Sequence, residues 1–254
     1  MQSPLRKTDL ESVLGGHFAW PGRMGVHPGL SPPAPERVST GIAEVDALTG
    51  GLPRGAITEI FGPASSGRTS LLAATLARAT QRGEVCALVD TNNTFDPLSA
   101  AQAGIDLGRL LWVRCTGSPD GPRRRWKTHP AEQALQVTDW LLQGGGFSIA
   151  ALDLGDVPPR IARRISLTSW FRLRRAIENT PSILIVIEQE PLAKTCASLV
   201  LEIQKEKTNW AGPLCPGRLL EGTLHRLAAR KPVRSAAAAF TLRAAWTSKQ
   251  IAVG

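Results

Sequence analysis

Gly62-Pro63-Ala64-Ser65-Ser66-Gly67-Arg68-Thr69 is the stretch that decides the fold. It fits the phosphate-loop pattern G-x-x-x-x-G-K-[ST] at every fixed position but one, Arg68 standing where the pattern has lysine. The spacing has a mechanism. Two glycines let successive backbone N–H groups curl around a phosphate chain, a helix N-terminus adds its positive end, and a hydroxyl such as that of Thr69 reaches a phosphate-bound Mg2+. Such a loop needs a strand before it and a helix after it. The sequence supplies both: Ala56–Phe61 is apolar and β-prone, and a helix is predicted from near Thr69.

Outward from the loop, short apolar runs alternate with helical stretches, which predicts an α/β fold with a mostly parallel sheet flanked by helices. The further strands expected are Val85–Val89, Leu110–Val113, Ile149–Leu152, Ile183–Ile187 and Leu199–Ile203, with an antiparallel finish in Thr223–Ala229 and Ala238–Ala244. The run Ile149–Leu152 leads into Asp153, a carboxylate at the place where a nucleotide-bound Mg2+ is held. Ahead of the core, Ser3 as N-cap, Pro4 at the first helical position and Leu5, Leu10, Val13 and Leu14 predict a short helix stopped by Gly15-Gly16. Prolines from Pro21 to Pro35 then predict a tether. The expected division is an N-terminal helical arm and linker over 1–38 and a nucleotide-binding core over 39–254.

Several ordered motifs make the chain similar to a known family. Ser39-Thr40-Gly41, Val45-Asp46-Ala47-Leu48, Gly50-Gly51-Leu52-Pro53-Arg54-Gly55 and Glu59-Ile60-Phe61-Gly62-Pro63 lead into the loop. Asp90, Asp96-Pro97, Gln133-Ala134-Leu135, Asp153 and Ile187-Glu188-Gln189 follow it. Together they resemble the core of RecA-type recombinases from about Ser39 to Ala245. The resemblance implies a RecA-like core that takes ATP or ADP with Mg2+. Gly62, Ser65, Ser66, Gly67, Arg68, Thr69 and Ser70 would lie at the phosphates, Thr69 and Asp153 at the metal, and Gln189 where the family senses the terminal phosphate. It also allows a cation at Arg230 or Lys231 to reach a neighbour's nucleotide site.

The departures from that pattern carry as much information. Arg68 puts a longer planar cation in place of a compact ammonium, so weakened phosphate binding is expected. Two residues after Asp90, where the family has its catalytic glutamate, stands Asn92, and an amide cannot take a proton from attacking water. Hydrolysis is expected to be very slow or absent unless Glu188 or Glu190 supplies the base. The family's DNA-binding loops follow the strands ending at Asp153 and Gln189; here helix-like sequence resumes at Pro159, and only a few residues separate Gln189 from the run Ala193–Ile203. Both loops read as deleted, and no counterpart of the family's C-terminal domain is expected.

Charge marks what replaces them. Thirty Lys+Arg against 21 Asp+Glu gives +9, and ten cations against four acids place +6 in residues 123–175 alone. Arg123-Arg124-Arg125-Trp126-Lys127 forms a basic loop with an aromatic at its centre. Over Pro159–Asn179 one helix is predicted. At about 100° per residue, Arg160, Arg163, Arg164, Arg172, Arg174 and Arg175 fall on one half of it with Leu167 and Phe171 among them, and Ile165, Leu173 and Ile177 on the other. Both segments are candidate surfaces for DNA or a protein partner.

Other chemistries find little support. Cys86, Cys115, Cys196 and Cys215 are far apart, and His17, His27, His129 and His225 have no acid or thiol at ligand spacing, which argues against a metal centre or a nucleophile triad. With no apolar leader and no apolar run of about 18 residues, a reducing cytoplasm is the expected compartment, near the bacterial nucleoid, without membrane contact. The combined expectation is a catalytically weakened RecA relative acting in DNA repair. It is closest in character to the ImuA-type accessory proteins that assist error-prone translesion polymerases in the SOS response to DNA damage. Expected partners are a translesion polymerase-associated protein or a RecA recombinase, DNA held weakly and without sequence preference, and a second copy of the chain through the N-terminal arm. The alternative is an active ATP-dependent recombinase or recombination mediator, which would carry lysine and glutamate where Arg68 and Asn92 stand.

Overall fold

The computed structural model describes residues 36–115, 129–211 and 219–243. The predicted helix over 3–14, the tether as far as Pro35 and the basic loop Arg123–Lys127 lie outside them. A short antiparallel pair, β1 (Arg37–Val38) with β2 (Leu52–Pro53), brackets helix α1 (Ala43–Thr49). The main sheet contains β3 (Ala56–Phe61), β4 (Cys86–Asp90), β5 (Leu110–Arg114), β6 (Ile149–Asp153), β7 (Ile183–Glu188), β8 (Ala197–Ala211), β9 (Leu219–Lys231) and β10 (Val233–Arg243). Its order is β10-β9-β8-β3-β7-β6-β4-β5, parallel from β8 to β5 and antiparallel at β9 and β10. The α/β fold expected from the alternating runs is the fold observed.

Strands β3, β4, β6 and β7 are buried almost throughout, as parallel strands covered on both faces must be. Their period of two divides the core. Ile60, Leu88, Ala151 and Ile185 face α1, α2 (Arg68–Gln81) and α3 (Pro97–Gln102), meeting Leu71, Leu72 and Leu76. Ile57, Val89, Leu152 and Val186 face α4 (Pro130–Gly144), α5 (Pro159–Ala162) and α6 (Leu167–Ile177), meeting Trp170, Leu173 and Ile177.

Two expectations are corrected. The strand expected over Leu199–Ile203 extends to Ala211, because its partner β9 continues to pair with it from Gln204 to Ala211, with a register shift at Lys205/Lys207, although Gln204 to Asn209 are polar and mostly exposed. Hydrogen bonds, not apolar alternation, define that part of the strand. The single helix expected over Pro159–Asn179 is two: α5 ends after one turn, and Ser166 caps α6 by accepting from the Ser169 N–H at 3.1 Å. One pair of motifs singled out in the sequence is structural. Asp46 accepts from Ser39 Oγ at 2.6 Å and from both the N–H and Oγ1 of Thr40 at 2.8 Å, so the Ser-Thr-Gly and Val-Asp elements form one turn that seats α1.

Candidate phosphate-binding site

The loop leaves β3 at its C-terminal end and enters α2, the arrangement in which free helical N–H groups point at a ligand. Ser65 and Gly67 adopt positive φ, 60° and 98°, which turns the chain tightly before the helix. Gly62 is required by a close approach: a Cβ there would stand 2.1 Å from the Ile203 carbonyl oxygen of β8. Its N–H donates to the Glu188 carbonyl at 3.3 Å, fastening the loop to β7 as well. Ser66 Oγ is buried and has no hydrogen-bond partner among the described residues, while Thr69 and Ser70 are exposed at the first turn of α2.

Arg68 lies within this cradle, 6% exposed. Its Nη2 donates to the Gly155 carbonyl at 3.4 Å, and the same oxygen accepts from Gln189 Nε2 at 2.9 Å. Burial lowers the guanidinium's proton affinity, and Asp153, Asp156 and Glu188 around it oppose that shift. Arg68 Nη1 is buried without a partner among the described residues. Two orphaned donors in one loop, Ser66 Oγ and Arg68 Nη1, fit an oxyanion, whose lone pairs would satisfy both. Asp153 accepts from the Gly155 N–H at 2.8 Å, and burial, followed by the charges of Asp90 and Asp156, pushes its carboxyl up to about 6.

Strand parity decides which acids can reach the loop. Asp90 and Asp153 are paired across β4 and β6 and project to the α2 face, whereas Glu188 projects to the opposite face. There the Leu192 N–H donates to both Glu59 Oε1, at 2.7 Å, and Glu188 Oε1, at 3.2 Å. Burial, followed by the neighbouring Glu59, raises Glu188 well above the usual carboxylate range, and its place on the face away from α2 separates it from a water at the loop. Glu190 is engaged by Arg163 in a fork of two nitrogens at 2.9 and 2.7 Å. Asp90 organises the turn after β4, accepting from the N–H groups of Asn92, Thr94 and Phe95 and from Trp112 Nε1. Asn92 itself is exposed.

The basic residues separate into two groups. Arg163, Arg172 and Arg174 pair with Glu190, Asp139 and Glu178. Arg160, Arg164 and Arg175 have no carboxylate partner among the described residues. Because the helix breaks at 163–166, Arg160, Arg163 and Arg164 do not share a helical face with Arg172, Arg174 and Arg175. Leu167 and Phe171 remain exposed on α6. Arg230 pairs with Glu202, and Lys231 Nζ donates to the carbonyls of Ala197 and Thr195, so both cations are engaged within the chain.

His225 is the residue that sequence reasoning passed over. It lies on β9, 2% exposed, on the same face as α2, with Nδ1 2.6 Å from the Ser66 carbonyl oxygen. Alternation of His225 with Leu227 and Ala229 signals an inward position, but nothing local in sequence connects β9 to a loop 159 residues earlier.

Comparison with known proteins bears on the fold of this core. The family described as the RecA N-terminal domain matches residues 33–158. "Protein RecA" of Rhizobium leguminosarum bv. viciae is 35% identical over 170 residues, covering 61% of this chain and 45% of that protein. "Protein RecA" of Rhizobium rhizogenes and of Brucella canis are each 35% identical over 170 residues, covering 61% of this chain and 44% of those proteins. The chain thus spans less than half the length of these relatives. No helix among the described residues is long and apolar enough to cross a membrane. Loop, strand order and sequence likeness agree that the chain carries a RecA-like α/β core.

Proposed function

We propose that this protein is a RecA-like DNA-repair accessory that binds ATP or ADP with Mg2+ and turns it over weakly or not at all. It would support translesion synthesis through a polymerase-associated protein or a RecA recombinase, with weak contacts to DNA. The observation that carries the reading is the seat of Arg68: the cation of the phosphate loop is buried on Gly155, beside Asp153 and Asp156. The backbone of 62–69, Ser66 Oγ and Arg68 Nη1 would hold the phosphates, and Thr69 and Asp153 the Mg2+. The bound metal would supply charge neutralisation between phosphate oxygens.

The short connections support an accessory role over strand exchange. Only 154–158 separate β6 from α5, and 189–196 separate β7 from β8. Arg37 and Val38 pair with Pro53 and Leu52 within the core, so the segment ahead of them is proposed as the one that joins a partner or a second copy. The deciding experiment is steady-state phosphate release by the purified chain, with and without single-stranded DNA, beside calorimetric titration with ADP and Mg2+. Measurable binding with near-background turnover is expected. Robust DNA-stimulated turnover would make the protein an active recombinase or mediator instead.

A further inference from the structure

We infer that His225 is a positioning residue for the phosphate loop: it fixes the Ser66–Gly67 peptide and so connects anion binding at the loop to the β8–β9–β10 edge of the sheet. The inference rests on the phosphate-binding reading and adds a part to it that lies outside the loop motif.

The ring is held from three sides. Nδ1 lies 2.6 Å from the Ser66 carbonyl oxygen, which can only accept, so Nδ1 carries the hydrogen. Nε2 is then the acceptor and receives the Thr223 hydroxyl at 2.6 Å, which selects that tautomer. Phe240 of β10 stacks on the ring at a centroid distance of 5.5 Å and an interplanar angle of 24°. Above it, a Cβ on Gly67 would meet the ring at 2.7 Å, so the loop rests directly on the imidazole.

The consequence follows from peptide geometry. In a trans peptide the carbonyl and the N–H point in opposite directions. The Ser66–Gly67 bond is trans, and with its carbonyl held down on His225 the Gly67 N–H points away from β9. That is the orientation an anion in the loop requires. Were the carbonyl free to turn over, it would present its oxygen to the phosphate and oppose binding.

The test uses the full chain with His225→Leu, His225→Asn and Thr223→Val, read by hydrogen exchange of the 62–69 amides and by calorimetric binding of ADP with Mg2+. His225→Leu keeps apolar bulk but removes the donor; ADP binding is expected to weaken about fivefold, the equivalent of one net hydrogen bond, with faster exchange at 66–69. His225→Asn, whose amide can donate from near the Nδ1 position, restores part of both. Thr223→Val moves both in the same direction by less. Should His225→Leu fail to fold, Thr223→Val and the 15N resonances of the ring decide; a ring protonated at Nε2 alone overturns the inference. Loop exchange unchanged in His225→Leu and Thr223→Val overturns it even where the unaltered chain binds ADP. An unaltered chain that binds neither ADP nor ATP overturns the phosphate reading and, with it, the anion-positioning role.

Discussion

Arg68 and Gln189 donate to one acceptor, the carbonyl oxygen of Gly155, at 3.4 and 2.9 Å. The cation that stands where the loop motif has lysine and the glutamine proposed to sense the terminal phosphate are therefore joined through the first turn after β6. Arg68 can offer Nη1 to a phosphate while Nη2 stays on Gly155, but the carboxylates of Asp153 and Asp156 then compete with that phosphate for the same cation. Binding at this loop competes with an internal ion cluster.

That competition makes the Arg68→Lys variant informative. A lysine lacks the planar fork and presents a compact charge to the phosphates. ATP with Mg2+ is expected to bind the variant about tenfold more tightly than the unaltered chain, a gain of about 1.4 kcal/mol by calorimetry. Equal or weaker binding would show that Arg68 already serves the phosphates.

Turnover needs a second change. Asn92 is exposed, and its N–H holds Asp90 Oδ1 at 3.2 Å, a backbone contact that a glutamate side chain leaves in place. Adding Asn92→Glu to Arg68→Lys supplies a carboxylate two residues after Asp90, and phosphate release is expected to rise by about 10²-fold, the low end of general-base contributions. A double variant as slow as the unaltered chain would place the defect elsewhere in the site.

The turn before α1 gives a stability prediction. Asp46→Ala removes three hydrogen bonds and leaves Thr40, which is fully buried, with an unpaired N–H. A loss of about 2–4 kcal/mol is expected, read as a lower denaturant midpoint with an unchanged slope. A change below about 0.5 kcal/mol would mean that water replaces the carboxylate at this turn.

The sequence revealed those parts of the molecule whose signals are local. Ala56–Phe61 and the loop after it were legible because an apolar run, two glycines and a helix start suffice to define them. Asp153 was legible because it ends an apolar strand, but the opposite face of Glu188 followed only from the register of β7 against β3. The break at 163–166 was hidden because arginines and Leu167 continue a helical period across it; Ser166 is the one capping signal there. His225 was invisible for a different reason. Its partner Ser66 is distant in sequence, and the β8–β9 pairing that brings them together runs through polar residues.

His225 also sets a pH dependence. Burial lowers its pKa from 6.5, Lys205 of β8 adds to the shift, and the Ser66 carbonyl opposes it. The folded chain thus binds a proton on this ring less readily than the unfolded chain. Its contribution to stability is complete above pH 6.5 and declines as pH falls from there through the lower folded value. The melting temperature of the unaltered chain is expected to fall over that window by more than that of His225→Leu. Parallel curves for the two proteins would remove the ring from the account.

The proposed DNA contact can be separated from ordinary surface charge by the ion pairs on α5 and α6. Arg160, Arg164 and Arg175 have no carboxylate partner among the described residues, whereas Arg163 and Arg174 pair with Glu190 and Glu178. A cation already paired releases fewer counterions on meeting a phosphate, so the unpaired three are the better candidates. For single strands each phosphate contact contributes about 0.7 to the slope of log affinity against log salt. The triple variant Arg160→Ala, Arg164→Ala, Arg175→Ala is expected to weaken binding of single-stranded DNA and to reduce that slope by about 2, and Arg163→Ala with Arg174→Ala to change it by less than about 1. The same measurement on Arg123→Ala, Arg124→Ala, Arg125→Ala tests the basic segment that precedes α4 in sequence, with an expected reduction again of about 2. Fluorescence anisotropy from low to high salt reads all three. An equal loss from the paired and unpaired sets would assign the effect to net charge, and a slope unchanged in every variant would remove both basic segments from the DNA interface.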